Sequence, residues 1–574
     1  AEIKGIVKAS DINAMMPKFR HQTFSSPLRP LCAEGEEREL QDLIAIGTFG
    51  HPIELPAGER AVGMMWVLLA KGDTNGFFKS LKGRLTVLGN MERALIERML
   101  AYAPVQHIAT LRTMLAWHVN DLARVRFYQC DIRQAYLSAL MKRKVFVKHP
   151  PGYMFFARDD GHLDYRTLGP GETAPKTVMP LILALYGSME CGRLFWEVFV
   201  DFHVSIGFRT IPHEPCFLIK TKPNGDFIKL SFHVDDSAIA SRGEDMFETY
   251  KQELGCRFDY TLSDLDLFIG TRFNIDPTAG IIRMDQTEQA IKMLKNFNMY
   301  GCNTSRTNTP VMPGEIPCLA DVPTDPVELH TVMKSFAMDA AVGSMNFLAG
   351  GTMPQLMYVL KVLSKSMRAY GEAHIKFAKH AMRWVAGNLG QGLTFRAGFP
   401  KNLQIFTDAS HAGCVDTRRS ISSIIIKMAG NTVFWKSVWQ TIVSHSSTES
   451  ELMAIDKGAT LGQFIKFLVE GMGGNVKTPI SIFVDNQASI DISSNPVSTG
   501  RNLHMHARYF YVRDMVRCGE YKLYHLESGE QIADLFCSFK GTSNFSRLVA
   551  RVIDCAIVVI DPNGNAVWID THMG

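Results

Sequence analysis

Between residues 403 and 540 the pattern of the chain leaves few folds open. "LQIFTDASHAG", "SISSIIIKMAG" and "NTVFWKSV" are three consecutive strand-like runs. A helical segment starts at "SSTESELMAI". It is followed by a strand ending in Asp485 ("SIFVDNQ"), a helix, the strand "YKLYHLE" and a helix containing Asp534. The order β-β-β-α-β-α-β-α predicts a separate α/β domain built on a mixed sheet, from about residue 400 to about 545.

The remainder of the 574 residues leaves room for two or three further domains. A hydrophobic share of 46% and a charged share of 21% are those of a soluble globular chain. No uninterrupted apolar run reaches membrane-spanning length, so no transmembrane helix and no membrane partner are expected. The net charge of +4 is compatible with nucleic acid, since a channel can be basic while the whole is balanced. Eleven cysteines without a C-x-x-C pair argue against a zinc ribbon and a disulfide scaffold, and for reduced thiols. The first residues, "AEIKGIVKAS", do not read as a signal peptide.

Upstream, residues 1–35 read as irregular, with Pro17, Pro27 and Pro30 spaced through them. "EGEERELQDLIAIG" reads as a helix stopping at Gly47. Short strands alternate with turns such as "KGDTNG" (71–76) over 52–90, and helical periodicity covers 91–123. "VRFYQCDIRQAYL" reads as a strand leading into Asp131 and then a helix. "IKLSFHVDDSAIAS" (228–241) reads as strand, tight turn, strand, with the aspartates at the turn. "NIDPTAGIIRMDQ" is a second hairpin turning at Pro277 and Gly280. Residues 330–390 are helical, and "CAIVVIDPNGNAVWID" is a final hairpin over Pro562–Asn565.

The adjacent Asp235 and Asp236 lie in an apolar run, where two like charges cost free energy unless something compensates them. Nucleotide addition needs a deprotonated 3′ hydroxyl and a stabilised leaving group. Two divalent ions about 3.5–4 Å apart serve both needs. Mg²⁺ takes carboxylate oxygens while keeping water and phosphate ligands. Asp131, Asp235 and Asp236 would supply such a set if their strands are neighbours. Read alone, "VDD" is more often a turn whose side chains accept backbone N–H groups. Tyr136, five residues beyond Asp131, is close enough to sit under a bound sugar. In the later domain Asp408, Glu451, Asp485 and Asp534 make a parallel case for phosphodiester hydrolysis. There Thr448-x-x-Glu451 and Ser528-x-x-Gln531 also read as capping boxes, and either glutamate of "TESE" is a candidate ligand.

"CDIRQAYLSA", "VFVKHPPGY", "ALYGSMECGRLFW", "HVDD" and "LFIG" resemble, in order, the reverse transcriptases of copia-type long-terminal-repeat retrotransposons. "FTDASHAGCVDTRRSISS", "FWKSVWQTIVSHSSTESELMA", "VDNQASI" and "EQIADLF" resemble that family's ribonuclease H domain. The resemblance runs from about residue 38 to about 540. It implies an α/β, multidomain α+β chain: a right-hand polymerase of fingers, palm and thumb, then a ribonuclease H-like mixed-sheet domain. The expected division is an N-terminal extension (1–45), fingers and palm (46–275), thumb or connection (276–398), ribonuclease H-like domain (399–545) and C-terminal hairpin tail (546–574). By resemblance Asp131, Asp235 and Asp236 are the polymerase metal ligands, and Tyr136 is the gate against a ribose 2′ hydroxyl. In "SLKGRLTVLGN", Lys82 and Arg84 match the family's "KARLVAKG" and hold the triphosphate. "LFIG" is a hairpin that positions the primer end. Asp408, Glu451, Asp485 and Asp534 are the nuclease ligands, which selects Glu451 over Glu449.

The implied cofactor is Mg²⁺, with Mn²⁺ as a substitute. The implied partners are an RNA template, a DNA primer, an RNA–DNA hybrid and deoxynucleoside triphosphates, with an oligomer or larger assembly also open. Two positions depart from the family. His233 stands where Tyr is usual. Glu190, in "GSMECG" for "GLKQAP", stands where a glutamine supports the templating base. A carboxylate near a triphosphate works against polymerisation. The "TKHIDIRYH" pattern is here "GRNLHMHARYF", keeping His504, Arg508 and Tyr509. The expected activity is RNA-directed DNA synthesis with ribonuclease H cleavage. The alternatives are a domesticated copy serving as a structural or RNA-binding subunit, or a nuclease alone. The resemblance suggests a cytoplasmic particle or the nucleus. The basic run "MKRKVFVKH" (141–149) reads as a solvated face or a phosphate contact.

Overall fold

The computed structural model describes residues 7–570 except 17–25, 73–76, 92–101, 170, 306, 313, 315, 495–507, 539 and 540. Residues 1–35 are not wholly irregular. Helix α1 spans Ala9–Met15, and α2 spans Arg29–Ala45 with Pro30 in its first turn. Proline fits there because the first-turn N–H has no intrahelical partner and φ is already helical. Helix α2 packs on a hairpin of β1 (Met64–Gly72) and β2 (Phe78–Val87). The turn of that hairpin lies largely outside the described residues, as does part of the 91–123 segment. Helix α3, Ile108–His118, is described there.

The next sheet has six strands, all antiparallel. They are β3 (Arg126–Ile132), β4 (Arg209–Ile211), β5 (Glu214–Thr221), β6 (Phe227–His233), β7 (Asp236–Arg242) and β8 (Tyr260–Asp264), in the order β8-β3-β7-β6-β5-β4. Helices α4 (Cys191–Ser205) and α5 (Glu244–Gly255) cover one face. There Phe195, Phe199, Leu230, Phe232, Ile239 and Tyr250 form a core. Asp131 is the penultimate residue of β3 rather than the residue after it. The expected helix beyond is a single 3₁₀ turn, Ala135–Ser138, entered through Gln134 at φ 51°.

A four-stranded sheet follows in chain order: β9 (Leu267–Phe268), β10 (Thr271–Asp276), β11 (Ile281–Asp285) and β12 (Gly392–Arg396). Between β11 and β12 lie helices α6 (Thr287–Asn296), α7 (Pro326–Ser335), α8 (Met338–Gly351), α9 (Met357–Ser364) and α10 (Glu372–Gly387).

The last large sheet has β13 (Leu403–Ser410), β14 (Ile421–Met428), β15 (Asn431–Trp439), β16 (Ile480–Val484) and β17 (Tyr521–His525) in the order β15-β14-β13-β16-β17. β15, β14 and β13 are antiparallel, whereas β13, β16 and β17 are parallel. This is the mixed sheet read from the element order. β14 is buried at every position, as a strand covered on both faces must be. Helix α11, Ser447–Gly471, crosses β13 and β14. Helices α12 (Gln487–Ser494) and α13 (Arg508–Arg517) lie between β16 and β17. His504 falls outside the described residues.

Helix α14, Thr542–Ile553, buries Phe545, Leu548, Val549 and Val552 at helical spacing, so a boundary at 545/546 cuts through it. The hairpin β18 (Ala556–Ile560) and β19 (Ala566–Asp570) closes the chain as expected. One hydrophobic core runs from α3 through α8–α10 into the last large sheet. At its centre the buried Arg112 guanidinium lies 3.7 Å from the Trp435 ring centre, and Trp435 Nε1 donates to Ala349 O. Among the described residues no helix is long and apolar enough to cross a membrane.

Candidate functional site

Two carboxylate centres stand in the chain. In the first, β3 and β7 are neighbours in a register that puts Asp236 directly opposite Asp131. β6 and β7 are joined by the two residues Val234 and Asp235, with His233 paired to Asp236 across the hairpin. Tight hairpins of this length need positive φ in the loop, normally supplied by glycine. Here Val234 adopts φ 59°, a strained conformation for a β-branched residue. The turn reading of "VDD" therefore holds, and the strands that the site reading needed as neighbours are neighbours. The turn is what brings Asp235 beside the Asp131–Asp236 pair.

Asp131 is exposed; Asp235 and Asp236 are half-buried. Burial, then Asp235 and Asp131, push the Asp236 carboxyl up to about 6. Burial also raises Asp235, with Asp131 adding to the rise and Arg84 opposing it. Like charges directly opposite on a sheet are destabilising. Asp235 and Asp236, both raised, stand beside Asp131 and offer hard carboxylate oxygens, the donor type a divalent cation takes.

Asp131 and Asp235 open into a cavity of about 670 Å³ that is also lined by Lys82 and Arg84. Lys82 and Arg84 alternate outward along β2 while Leu81 and Leu85 turn inward. Sequence reasoning missed the other polar residues of this wall: Glu39, Asp42, Lys71, Arg133, Gln134, Tyr186 and Asp259. Lys71 had a legible signal. It is two residues from Leu69, the cross-strand partner of Lys82, so strand alternation puts both lysines on one face. Tyr186, within "ALYGSMECG", carries the Arg84 guanidinium 5.3 Å from its ring centre. Tyr136 sits behind it, edge-on to Tyr186 at 5.2 Å and to Phe195 at 6.3 Å; burial foremost pushes its phenol up to about 12. Tyr186, rather than Tyr136, lines the cavity.

Glu190 does not join this wall. It is the N-cap of α4, is 5% exposed, and forms an ion pair with Arg143 at 3.2 Å. Its charge is answered by the basic run at 141–149. Within that run Lys142 also pairs, with Glu197 at 2.6 Å, while Lys144 and Lys148 are exposed. "LFIG" forms a two-residue hairpin turn with Ile269 at φ 47° and Gly270 at φ 68°. Gln129 Oε1 accepts N–H groups of Asp266 and Leu267, which ties this hairpin to β3 two residues from Asp131.

The second centre lies at one end of the mixed sheet. Asp408 on β13, Glu451 in the second turn of α11 and Asp485 after β16 present ligand oxygens within 4.8 Å of one another. Among the described residues, Asp131, Asp235 and Asp236 do not meet that spacing. Glu451 is 5% exposed; Oε1 accepts the Ala409 N–H at 3.0 Å and Oε2 is buried without a partner. Burial, then Asp408 and Asp485, push its carboxyl far above the ordinary range. The orphaned oxygen and the convergence of acids fit a divalent cation.

The capping expectations need correction here. The N-cap of α11 is Ser446, whose Oγ accepts the Glu449 N–H, while Glu449 Oε2 accepts the His445 N–H at 2.6 Å. Glu449 is thus the capping acid, leaving Glu451 for the centre. Ser528 does not cap the segment bearing Asp534. Its Oγ donates to Asp485 Oδ2 at 2.8 Å, and Gln531 is the N-cap of a five-residue 3₁₀ helix, Ile532–Phe536. Asp534 stands at the edge of the centre. Its Oδ1 accepts from Ser538 Oγ at 2.8 Å, and its charge reaches Glu451 more weakly than those of Asp408 and Asp485.

Residues 51–313 match the family described as reverse transcriptase (RNA-dependent DNA polymerase). The chain is 25% identical over 522 residues to the retrovirus-related Pol polyprotein from transposon TNT 1-94 of Nicotiana tabacum, covering 90% of this chain and 37% of that protein. It is 24% identical over 501 residues to the corresponding polyprotein from transposon RE1 of Arabidopsis thaliana, covering 87% of this chain and 32% of that one. The chain thus spans about a third of the length of these relatives. A foamy viral protease-reverse transcriptase solved with double-stranded DNA shares 12% identity at a TM-score of 0.47, covering 86% of this chain and 69% of that one. The chain carries a reverse transcriptase domain. These matches support the resemblance to the copia-type retrotransposon reverse transcriptases.

Proposed function

We propose that the chain is an RNA-directed DNA polymerase that also cleaves the RNA strand of the resulting hybrid, copying a retrotransposon RNA into DNA. The observation that carries this reading is the register placing Asp236 opposite Asp131, with Asp235 at the mouth of a cavity walled by Lys82 and Arg84. Lys82 and Arg84 neutralise the triphosphate of an incoming deoxynucleotide. Tyr186 and, behind it, Tyr136 shape the floor under the sugar. Asp131, Asp235 and Asp236 would hold Mg²⁺ or Mn²⁺. When bound, such ions lower the pKa of the 3′ hydroxyl and stabilise the leaving pyrophosphate. Glu190 leaves the cavity's electrostatics to the cations, because Arg143 already answers its charge.

At the second centre Asp408, Glu451 and Asp485, with Asp534 at the edge, would hold the ions for hydrolysis of the RNA strand. Primer extension tests the reading. The full chain, given a DNA primer on an RNA template with Mg²⁺ and four deoxynucleotides, should extend the primer, and chelation should stop it. A folded chain that binds the duplex and adds nothing would contradict the reading.

A further inference from the structure

Strand β2 bears Lys82 and Arg84 but belongs only to a two-stranded ribbon. Such a ribbon is marginal alone and needs something to hold it. Helix α2 does so at unusually short range. A Cβ built on Gly83 would lie 2.5 Å from the Gly35 carbonyl oxygen, and one on Gly35 would lie 3.3 Å from the Gly83 nitrogen. Helix and strand therefore touch backbone to backbone at the residue between Lys82 and Arg84. One turn beyond Gly35, Glu39 enters the cavity wall, and its Oε1 accepts the Leu85 N–H at 3.3 Å. Lys82 and Arg84 are its nearest compensating charges, and Asp42 is a like charge on its own helix.

We propose that Glu39 is a positioning residue for the triphosphate grip: through the Leu85 N–H it fixes β2 on α2, so that Lys82 and Arg84 face the incoming nucleotide. This rests on the polymerase reading of the cavity. The Gly35–Gly83 contact is the close approach that lets the carboxylate reach the strand backbone. A small displacement of two phosphate-binding cations is costly to affinity, because both must meet one ligand at once.

The test is equilibrium binding of dTTP with Mg²⁺ to the full chain, on an RNA template whose DNA primer ends in a dideoxynucleotide. Glu39→Ala should weaken dTTP about tenfold, and Gly83→Ala should weaken it in the same direction by forcing β2 off α2. Glu39→Gln should stay within about twofold, because its amide oxygen can accept the same N–H. A Glu39→Ala chain that binds dTTP like the wild type overturns the proposal. So does a Glu39→Gln chain as weak as Glu39→Ala, or a wild type that binds no dTTP. Circular dichroism reports folding of each variant. Extension of an unblocked primer, run in parallel, judges the polymerase reading separately. A wild type that binds dTTP and extends nothing counts against that reading, while the affinity ranking still decides the role of Glu39.

Discussion

Asp408, Glu451 and Asp485 converge from a strand, a long helix and a second strand, two of them buried, with oxygens within 4.8 Å. Asp131, Asp235 and Asp236 come from two adjacent strands and the turn between β6 and β7, and Asp131 and Asp235 open onto a cavity. The closed centre at Asp408 is already assembled and carries its cost as mutual repulsion in a buried place. The open centre at Asp235 is partly solvated and carries part of its cost as backbone strain at Val234. A closed set of acids depends on a cation for its own stability. On the proposed reading, the open set would complete itself around primer and nucleotide.

The largest expected effect separates two glutamates two residues apart. Glu451→Gln should lower hybrid cleavage about 10³-fold, the scale of several kcal/mol of lost charge stabilisation. Glu449→Ala should cost only a cap, about 1 kcal/mol in denaturant unfolding, and leave cleavage nearly intact. Equal losses of cleavage would erase the distinction between a capping acid and a ligand.

The next effect asks whether an ion pair, rather than a metal, compensates Glu190. Arg143→Ala leaves that carboxylate buried and should destabilise the fold by about 3 kcal/mol. Adding Glu190→Gln should recover most of the loss. A double variant no more stable than the single one would contradict the pairing. A smaller effect tests where the open centre stores its cost. Val234→Gly relieves positive φ and should stabilise the fold by about 0.5–1 kcal/mol while slowing primer extension. A loss of stability would show that Val234 is unstrained.

The smallest effect is a shift in melting temperature. Burial and neighbouring acids raise Asp236, to about 6, and Glu451. Above the ordinary carboxylate value the native chain therefore holds more protons than the unfolded one. Metal-free stability should fall as pH rises from about 4 through the raised values. Mg²⁺ offsets that loss, so the gain in melting temperature on adding it should grow between about pH 5 and about pH 8. Glu451→Gln should remove more of this gain than Asp236→Asn, if the closed centre is the one that relies on a cation. The reverse ranking would overturn the comparison.

The mixed sheet was legible because its strands are short, apolar and separated by turn residues; Asp408, read as ending its strand, lies two residues inside β13, and Asp485 follows β16. The hairpin carrying Asp235 and Asp236 was legible for the same reason. Its adjacency to β3 was not, because pairing between strands about a hundred residues apart leaves no local pattern. Thr448-x-x-Glu451 was misread as the capping box because capping spacing repeats within "SSTESE", where Ser446 and Glu449 are the pair that caps; Ser528 has the spacing of a cap but spends its hydroxyl on Asp485. Glu39 and Asp42 carried no signal beyond the helical reading of "EGEERELQDLIAIG". Their place on the cavity wall depends on the Gly35–Gly83 contact, which joins two segments far apart in the chain.

The central claim is that one chain carries two separate carboxylate centres, one for adding nucleotides and one for cutting RNA. It is tested most directly by measuring primer extension and hybrid cleavage side by side in Asp235→Asn and Asp485→Asn. Asp235→Asn should abolish extension and keep cleavage; Asp485→Asn should keep extension and abolish cleavage. Loss of both activities in either folded variant, or of neither, would contradict the account.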